Sequence, residues 1–407
     1  MQPEKKKSYV LMVGLAMGHA LKHFYQQAFL LLIPALKEAM LLTDVQVGLF
    51  GTARTVLSAA MNIPAGIMAD MWRSKVGLIL FCSLMSLAIG YLIIGSTNSY
   101  WMVLLGVAVT GLGTSLWHAP AFGTLGAMYP EKRATALAIH RMGGSVGDSI
   151  SPIVMGILLG GFALGGIEWG GMNWRTVAMI LVAPAVLSAF AVLIFYGRQI
   201  GEEGERLPQD IYTYLRSARG LLTNGTIVSM VMLTSVRAMA HNGLNIFLIV
   251  YMDEDLGYPV FKIGYHMALL TLFGVLSAPI MGWLSDKIGR RPVISVALFA
   301  IAIIISGMLV FQGGVTFTIL LAFLGLFLYT VNPIMLAAAI DSAPRGMESS
   351  VTALMFTGPS IFGALSPVVA GFLRDSYGMD AVFIYASSIV AVVAVASLIV
   401  PMRRIDD

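Results

Sequence analysis

Residues 282–291 read GWLSDKIGRR, and residues 66–75, which lie 216 positions earlier, read GIMADMWRSK. Each segment begins with a glycine, carries an aspartate four residues later and joins two long apolar runs. The match extends outward, because His241, Asn245 and Phe247 keep the spacing of a similar triplet 218 positions earlier. Such self-similarity at a nearly fixed offset predicts that the chain is a duplication of one structural unit.

The composition predicts that this unit lies in a membrane. Of the 407 residues, 58% are hydrophobic and 11% are charged, whereas soluble domains have roughly 45–50% apolar and about 25% charged residues. So few charges cannot cover a soluble surface, which excludes a soluble enzyme, a nucleic-acid-binding protein and a disordered chain. The lone cysteine, Cys82, lies in an apolar run and indicates neither a disulfide nor a metal site.

Twelve apolar runs are long enough to cross a membrane, which takes about 20 residues. The polar segment 198–223 divides these runs six and six. We therefore predict an N-terminal bundle over 1–197, a cytoplasmic linker over 198–223 and a C-terminal bundle over 224–407. The predicted spans are 9–34, 45–69, 76–96, 101–128, 134–162, 174–197, 224–251, 262–285, 293–312, 315–340, 349–373 and 381–402.

The basic residues near the ends of these runs predict the orientation. With the N-terminus in the cytoplasm, seventeen such Lys and Arg side chains lie inside and four lie outside, as the positive-inside rule requires. Both termini are then cytoplasmic, and the net charge of +4 reflects topology rather than a nucleic-acid partner. We expect a multi-pass protein of the cell (inner) membrane.

The segment 282–291 matches the loop motif G-x3-D-[RK]-x-G-[RK]-[RK] throughout, whereas Met71 and Arg73 depart from it in the first copy. Together with the duplicated six-span plan, this motif makes the chain resemble the major facilitator superfamily. The resemblance implies an all-α membrane fold of twelve transmembrane helices in two pseudo-symmetric six-helix bundles, with a site near the midplane between them. Because an aspartate at a helix end accepts hydrogen bonds from basic groups nearby, we expect a conformational latch at Gly66, Asp70, Arg73, Gly282, Asp286, Gly289, Arg290 and Arg291.

Three short motifs narrow the resemblance. Residues 18–21 read GHAL, residues 111–120 read GLGTSLWHAP, and residues 143–152 read GGSVGDSISP. These motifs are similar to those of the fosmidomycin-resistance type of transporter, which implies relatedness to exporters of drugs and small anions. Asp148 interrupts the Gly/Pro pattern that some antiporters carry in span 5, so the direction of transport stays open.

Five charged residues fall well inside the predicted spans: Lys22, Arg54, Arg141, Asp148 and Arg237. Each ionised group at a helix centre costs about 2.5–3.5 kcal/mol on insertion scales. Their formal charges add to +3. Five such groups without a role would destabilise insertion heavily, so each is a candidate site residue.

Two polar stripes carry several of these charges. In span 1, His19, Lys22, His23 and Gln26 lie on one helical face about 100° wide. In span 7, Arg237, His241 and Asn245 form an equivalent polar stripe. The duplication places these stripes opposite each other across a pseudo-two-fold axis, facing a wet cavity. The alternative is hydrogen bonding between helices without substrate contact.

Three cations near the midplane attract an anion. Arginine suits bidentate capture of a carboxylate or phosphonate. We therefore predict that Lys22, Arg54 and Arg237 bind a small organic anion. The predicted hydrogen-bonding lining is His19, His23, Gln26, Gln27, Trp117, His118, His241, Asn245, Tyr329 and Asn332.

Asp148 is the one acid at membrane depth, and two interpretations of it stay open. It is either the carboxylate that couples transport to protons or the counter-ion of a cation on another helix. Arg141 shares its helical face but lies about 10 Å away along the axis. With His140 nearby in the sequence, we group Asp148, Arg141 and His140 as the predicted proton-coupling set.

The predicted function is secondary active transport of the anion, coupled to protons, by alternating access. The chain lacks G-x-S-x-G, H-E-x-x-H and a phosphate-binding loop, so we predict no enzyme, no cofactor and no metal. The partners are the anion, protons and the lipid bilayer, and the protein is expected to be a monomer. The alternatives are a proton-driven multidrug or antibiotic efflux antiporter and a non-transporting sensor on the same fold.

Overall fold

The computed structural model describes residues 9–129, 132–196, 219–343 and 348–401, which are almost entirely helical. Most of the predicted linker, 198–218, lies outside the described residues, so the division of the chain at this segment stays a prediction. The structure also leaves the side chains of Asp70 and Arg73 undescribed, and the first copy of the predicted latch is therefore untested.

The N-terminal half contains six long helices, and a short 3-10 turn links the second to the third. The sixth helix continues in a π-helical turn, Val192–Tyr196. A two-stranded antiparallel hairpin lies between the fifth and sixth helices. The elements are α1 (Tyr9–Met40), α2 (Asp44–Met71), the 3-10 turn Arg73–Lys75, α3 (Val76–Ser96), α4 (Tyr100–Met128), α5 (Arg133–Gly160), β1 (Phe162–Leu164), β2 (Ile167–Trp169) and α6 (Trp174–Ala191).

The C-terminal half repeats this arrangement with two of its spans broken into shorter helices. Its first helix ends in a π-helical turn, Tyr251–Asp255. The elements are α7 (Gly225–Val250), α8 (Val260–Ile288), α9 (Arg290–Met308), α10 (Gly314–Leu328), α11 (Val331–Asp341), α12 (Glu348–Phe362), α13 (Ser366–Tyr377) and α14 (Met379–Ile399).

Helical segments occupy all twelve predicted span positions, and the all-α membrane fold is confirmed. The tenth span is α10 with α11, and the eleventh is α12 with α13. Pro333 and Pro367 lie just after the breaks, where a missing N–H interrupts the helical ladder. Among the described helices, nine stretches are long and apolar enough to cross a membrane. The helices α1, α2 and α7 are not among the nine, because their polar residues lower the hydropathy.

The two bundles contact each other closely where α2 crosses α13 and where α8 crosses α5. Gly48 of α2 lies against the carbonyl oxygen of Pro367, and Gly264 of α8 lies against that of Pro152. A side chain at either glycine would collide with this backbone, so glycine permits the approach. These two glycines are 216 residues apart, and the contacts are therefore related by the internal duplication.

A network of charged side chains joins the bundles at the predicted outer end, which we call the outer ion network. Arg374 of α13 lies 2.6 Å from Asp44 of α2, 2.9 Å from Glu254 and 2.5 Å from Asp255. Lys37 at the end of α1 lies 2.5 Å from Asp44 and 2.7 Å from Glu254. The network therefore connects α1 and α2 with α7 and α13.

A helix cap across the interface adds to this connection. The side chain of Thr43 accepts a hydrogen bond from the backbone N–H of Gln46, in a capping box that begins α2. The carboxylate of Asp375, from the other bundle, accepts from the backbone N–H groups of Asp44 and Val45, both at 3.0 Å. The first turn of α2 is thus satisfied by both bundles, and the predicted outer end is closed.

Candidate functional site

A cavity of about 210 Å³ lies between the bundles, near the middle of α1 and α7. Its polar lining comes from four helices of both halves and from the break between α10 and α11, and its apolar lining lies mainly toward the closed end. The polar lining residues are His23, Gln26, Gln27, Arg54, Thr55, Asp148, His241, Asn242, Asn245 and Tyr329, and the apolar residues include Phe29, Leu30, Phe50, Ile246 and Pro367.

Of the three cations predicted to bind the anion, Arg54 lines the cavity. Its Nη1 donates to the backbone oxygen of Gln26 at 3.3 Å. Among the described residues this is the one hydrogen bond found for its side chain. Because a guanidinium carries five N–H donors, most of them are free to bind a ligand.

Lys22 is completely buried and lies one layer behind the cavity wall. Its Nζ donates to Nε2 of His118 at 2.8 Å and contacts Nε2 of His23 at 3.2 Å. Neither lipid nor an acidic side chain is its direct partner among the described residues. The ammonium is therefore held by imidazole nitrogens of α1 and α4.

A chain of hydrogen-bonding contacts leads from this lysine to the cavity. Nδ1 of His19 donates to the backbone oxygen of His140 at 2.7 Å, and its Nε2 lies 3.1 Å from Nε2 of His23. Nδ1 of His23 lies 3.0 Å from Oδ1 of Asp148, which also accepts from Gln27 at 3.2 Å. We call His19, Lys22, His23, His118 and Asp148 the histidine cluster.

The histidine cluster bears on the two interpretations of Asp148. Its hydrogen-bonding partners among the described residues are His23 and Gln27, rather than a lysine or an arginine. The other members of the predicted coupling set lie apart from it: Arg141 is exposed, and His140 is buried with its ring stacked on His19 at 4.2 Å. A carboxylate next to an imidazole is a pair that can exchange a proton.

Three imidazoles of the histidine cluster come close enough to hold a metal ion. One ring nitrogen from each of His19, His23 and His118 lies within 4.8 Å of the others. The sequence predicts no metal, because no pair of histidines has a metal-ligand spacing supported by a carboxylate. The grouping of the three rings appears only when α4 packs against α1. The Lys22 ammonium already donates to Nε2 of His118 at 2.8 Å and contacts Nε2 of His23 at 3.2 Å, so these ring nitrogens are engaged by a protein group.

The span-7 stripe divides in the same way as the span-1 stripe. His241 and Asn245 line the cavity, whereas Arg237 is buried behind it, with its Nη1 3.5 Å from the backbone oxygen of Leu328. Among the described residues, Nδ1 of His241 and Oδ1 of Asn245 have no hydrogen-bond partner. Buried polar atoms are nearly always paired, so these two atoms indicate a ligand site.

Several other predicted lining residues lie outside the cavity. Trp117 is fully buried and fills the space that Gly18 leaves open, so the GHAL and GLGTSLWHAP motifs pack against each other. Asn332 is exposed and is not part of the lining. Thr55 and Asn242 were missed by the sequence, although each lies one helical turn or less from a predicted residue.

The second copy of the loop motif forms ionic contacts within the C-terminal bundle. Arg290 pairs with Asp286 and lies 3.0 Å from Asp341 at the end of α11. Gly289, with a φ of 97°, makes the sharp turn between α8 and α9. Arg291 donates to the backbone oxygen of Val400 at 2.7 Å. The motif thus joins α8, α9, α11 and the end of α14, while Gly282 has open space beside it.

Comparisons with known proteins agree with this architecture. The sequence profile of the Major Facilitator Superfamily matches residues 15–239 and 230–406. The chain is similar to the uncharacterized MFS-type transporter YfnC of Bacillus subtilis, with 22% identity over 97% of this chain and 93% of the relative. It is also similar to the fosmidomycin resistance protein of Escherichia coli, with 21% identity over 93% of this chain and 89% of the relative.

Solved structures share the fold. A bacterial homolog of the human lysosomal transporter Spinster, in an inward-facing and occupied conformation, superposes with a TM-score of 0.77 at 19% identity, covering 97% of this chain and 96% of that one. The nucleoside transporter NupG superposes with a TM-score of 0.71 at 14% identity, covering 95% of this chain and 98% of that one.

Proposed function

The chain belongs to the major facilitator superfamily and is a multi-pass membrane transporter rather than an enzyme, and we propose that its cargo is a small organic anion moved together with protons. The cargo class is a carboxylate or a phosphonate. The observation that carries this proposal is the Arg54 guanidinium, which lines the cavity with most of its donors unused. Such a group binds two oxygens of an anion at once.

The charge balance of the cavity supports an anion. Among the described residues, Asp148 is the one acid in the lining, and it is already engaged by His23 and Gln27. Lys22 adds a positive charge directly behind His23. A cationic cargo would meet net repulsion here, whereas an anion is attracted.

The size of the cavity supports a small cargo. Sites for drug-sized ligands enclose about 300–1,000 Å³, and this cavity encloses about 210 Å³. The unpaired atoms of His241 and Asn245 provide contacts for the end of the molecule opposite Arg54. We therefore propose binding across the bundle interface, by one chain acting as a monomer.

Proton coupling is proposed for the pair formed by His23 and Asp148. Both side chains line the cavity and are partly exposed, at 21% and 18%, so a proton can reach them from there. We further propose that both termini are cytoplasmic in the inner membrane. The outer ion network then closes the external side in this conformation.

Uptake into proteoliposomes tests the proposal. The probes are methylphosphonate and succinate as anions, tetraphenylphosphonium as a lipophilic cation and uridine as a neutral nucleoside, each with and without an inward proton gradient. We expect gradient-stimulated uptake of an anion and no uptake of the cation or the nucleoside. Arg54→Gln should reduce this uptake about tenfold or more, as expected for one lost charge-assisted contact.

Arg175→Gln is the matched control, because Arg175 stacks on Trp174 and bonds Asn98 within one bundle, away from the cavity. Its uptake should equal that of the unmodified protein. Uptake of the cation in preference to both anions, or normal anion uptake by Arg54→Gln, would contradict the proposal.

Export of an antibiotic is the second candidate, favoured by the similarity over nearly the whole chain to a fosmidomycin resistance protein. Fosmidomycin is therefore added to the panel, in right-side-out and inverted vesicles. Fosmidomycin is itself a phosphonate, so its proton-driven movement out of the cytoplasmic compartment, without movement of methylphosphonate or succinate, would keep the anionic cargo class and identify the protein as an antibiotic exporter.

A further inference from the structure

The hydrogen-bonding atoms of the histidine cluster form one continuous line from the cavity into the protein. The line begins at Asp148, passes through both ring nitrogens of His23 and reaches His19, with steps of 3.0 and 3.1 Å. It ends where His19 Nδ1 donates to the carbonyl oxygen of His140. His19 is 4% exposed and lies one helical turn from His23 toward the predicted cytoplasmic end of α1.

Counting protons along this line gives a definite result. The carbonyl oxygen of His140 can only accept, so Nδ1 of His19 carries a proton. Neutral rings of His19 and His23 with an ionised Asp148 hold two protons in total. The line contains three hydrogen-bonding contacts, and each needs one proton. One contact is therefore left empty unless the cluster takes up a further proton.

Lys22 decides where that further proton resides. Its ammonium points a hydrogen at Nε2 of His23 from 3.2 Å, so this nitrogen must present a lone pair. The proton in the contact between His23 and His19 then belongs on Nε2 of His19. Every contact of the line is satisfied when His19 carries protons on both nitrogens, His23 carries one on Nδ1, and Asp148 is ionised. The one lone pair on Nε2 of His23 is then shared between His19 and Lys22, at 3.1 and 3.2 Å.

We propose that His19, behind the cavity, is the site that stores the transported proton, and that His23 and Asp148 conduct the proton to it. In the tautomer of His23 that carries its own proton on Nε2, a proton that binds Asp148 from the cavity passes to Nδ1, and the proton on Nε2 moves to Nε2 of His19. After this transfer His23 is neutral with its proton on Nδ1, and its Nε2 presents a lone pair to Lys22. The added positive charge attracts the anion at Arg54, so this inference rests on the proposed function for its role in coupling.

Other charged and titratable groups surround the line. Lys22 is the cation in direct contact with it, and the rings of His118 and His140 lie against His19 at 5.1 and 4.2 Å. The remaining groups act through space. The groups that act on His19 and His23 are Lys22 on α1, Arg54 on α2, His118 on α4, and His140 and Asp148 on α5. Arg141 acts on His118. Across the cavity, His241 and Tyr329 act on Asp148, and Arg237 acts on His241.

Nitrogen-15 NMR of histidine-labelled protein in lipid nanodiscs tests the proposal without any substrate. The chain has six histidines, and the spectrum distinguishes a ring with one proton from a ring with two. On lowering the pH from 8.5 to 5.5 we expect one ring of the histidine cluster to become doubly protonated. That signal should be absent from His19→Asn, which keeps a donor for the His140 carbonyl but lacks the storage nitrogen.

The matched control is His266→Asn in the other bundle. His266 is buried, with Nδ1 donating to the backbone oxygen of Lys262 and Nε2 2.9 Å from Thr318, so a neutral ring satisfies both contacts. Its substitution should leave the doubly protonated signal unchanged. His23→Gln removes the conducting ring but leaves both nitrogens of His19, so a doubly protonated ring should remain at pH 5.5. This second variant covers a misfolded His19→Asn, and loss of the signal in it would place the proton on His23 and overturn the proposal.

The proposal is overturned if His19 keeps a single proton at pH 5.5, or if the doubly protonated ring persists in His19→Asn. It is also overturned if two or more rings of the cluster protonate independently. Binding of methylphosphonate should tighten about tenfold from pH 8.5 to 5.5, a typical coupling between two ligands, and His19→Asn should remove this change. Failure to bind any anion at either pH would refute the proposed function alone, since the NMR result does not depend on it.

Discussion

Removal of Arg374 should open the end of the molecule that the outer ion network closes. Arg374 and Asp44 are 7% and 6% exposed and lie 2.6 Å apart, and breaking a buried ion pair costs about 3–5 kcal/mol. Lys37 remains beside Asp44, which reduces the cost. The pairs with Glu254 and Asp255 are more exposed and add about 0.2–1 kcal/mol each.

We therefore expect Arg374→Gln to destabilise the closed conformation by about 3 kcal/mol, which corresponds to about a hundredfold shift between closed and open populations. Spin labels on Ala39 and Ser376, which are both exposed, report the separation of the bundles by pulsed electron resonance. Replacement of the single cysteine, Cys82, by serine leaves the two engineered cysteines as the labelling sites.

The expected result is a short distance in the parent protein and a second, longer distance in Arg374→Gln. Arg175→Gln is the control, because its contacts stay within the N-terminal bundle, and it should keep the short distance. The double variant Arg374→Gln, Lys37→Met removes both cations of the network. An unchanged short distance in this double variant would refute the role of the network.

Two further predictions concern pH and packing. Burial raises the pKa of Glu254, but hydrogen bonds from Lys37 and Arg374 outweigh burial and lower that pKa below the usual 4.5. The ionised Glu254 therefore stabilises the closed end above pH 4.5, and this stabilisation is lost as the pH falls through the lowered pKa. The same spin labels should then report opening in acid. Gly18→Val would force a side chain into Trp117 and should lower the free energy of unfolding by about 1–3 kcal/mol, measured by thermal unfolding. Gly123→Val, whose added side chain meets open space, should not lower it. Equal melting temperatures of the two variants would contradict the packing described here.

The sequence predicted the fold because hydrophobicity and periodicity are local signals and because the duplication appears when the chain is compared with itself. Counting apolar residues is enough to predict the twelve span positions, and the fixed offset of the repeat is enough to relate Gly48 to Gly264. The broken tenth and eleventh spans were not predicted, although Pro333 and Pro367 carried the signal. The end of α1 was also misplaced, because this helix continues to Met40, six residues past the predicted span.

The candidate site was predicted less completely, because periodicity gives the face of a helix but not its neighbour. The stripe of α1 brought His23 to the cavity, but its Lys22 meets His118 of α4. A polar stripe about 100° wide is wider than the part of the helix that faces the cavity, so some of its side chains point away from the cavity. Lys22 and Arg237 are such side chains, and both are buried behind the residues that line it. The outer ion network depends on contacts over more than 300 residues, such as that between Asp44 and Arg374, which no local pattern reveals.

The central claim is that the cavity selects a small anion through Arg54. The most direct measurement is equilibrium binding of methylphosphonate and of its neutral dimethyl ester to the purified protein, by calorimetry. The account predicts binding of the anion alone, and a loss of about 1.5–3 kcal/mol in Arg54→Gln, or roughly tenfold to a hundredfold in Kd. Equal binding of the neutral ester, or unchanged affinity in Arg54→Gln, would contradict it.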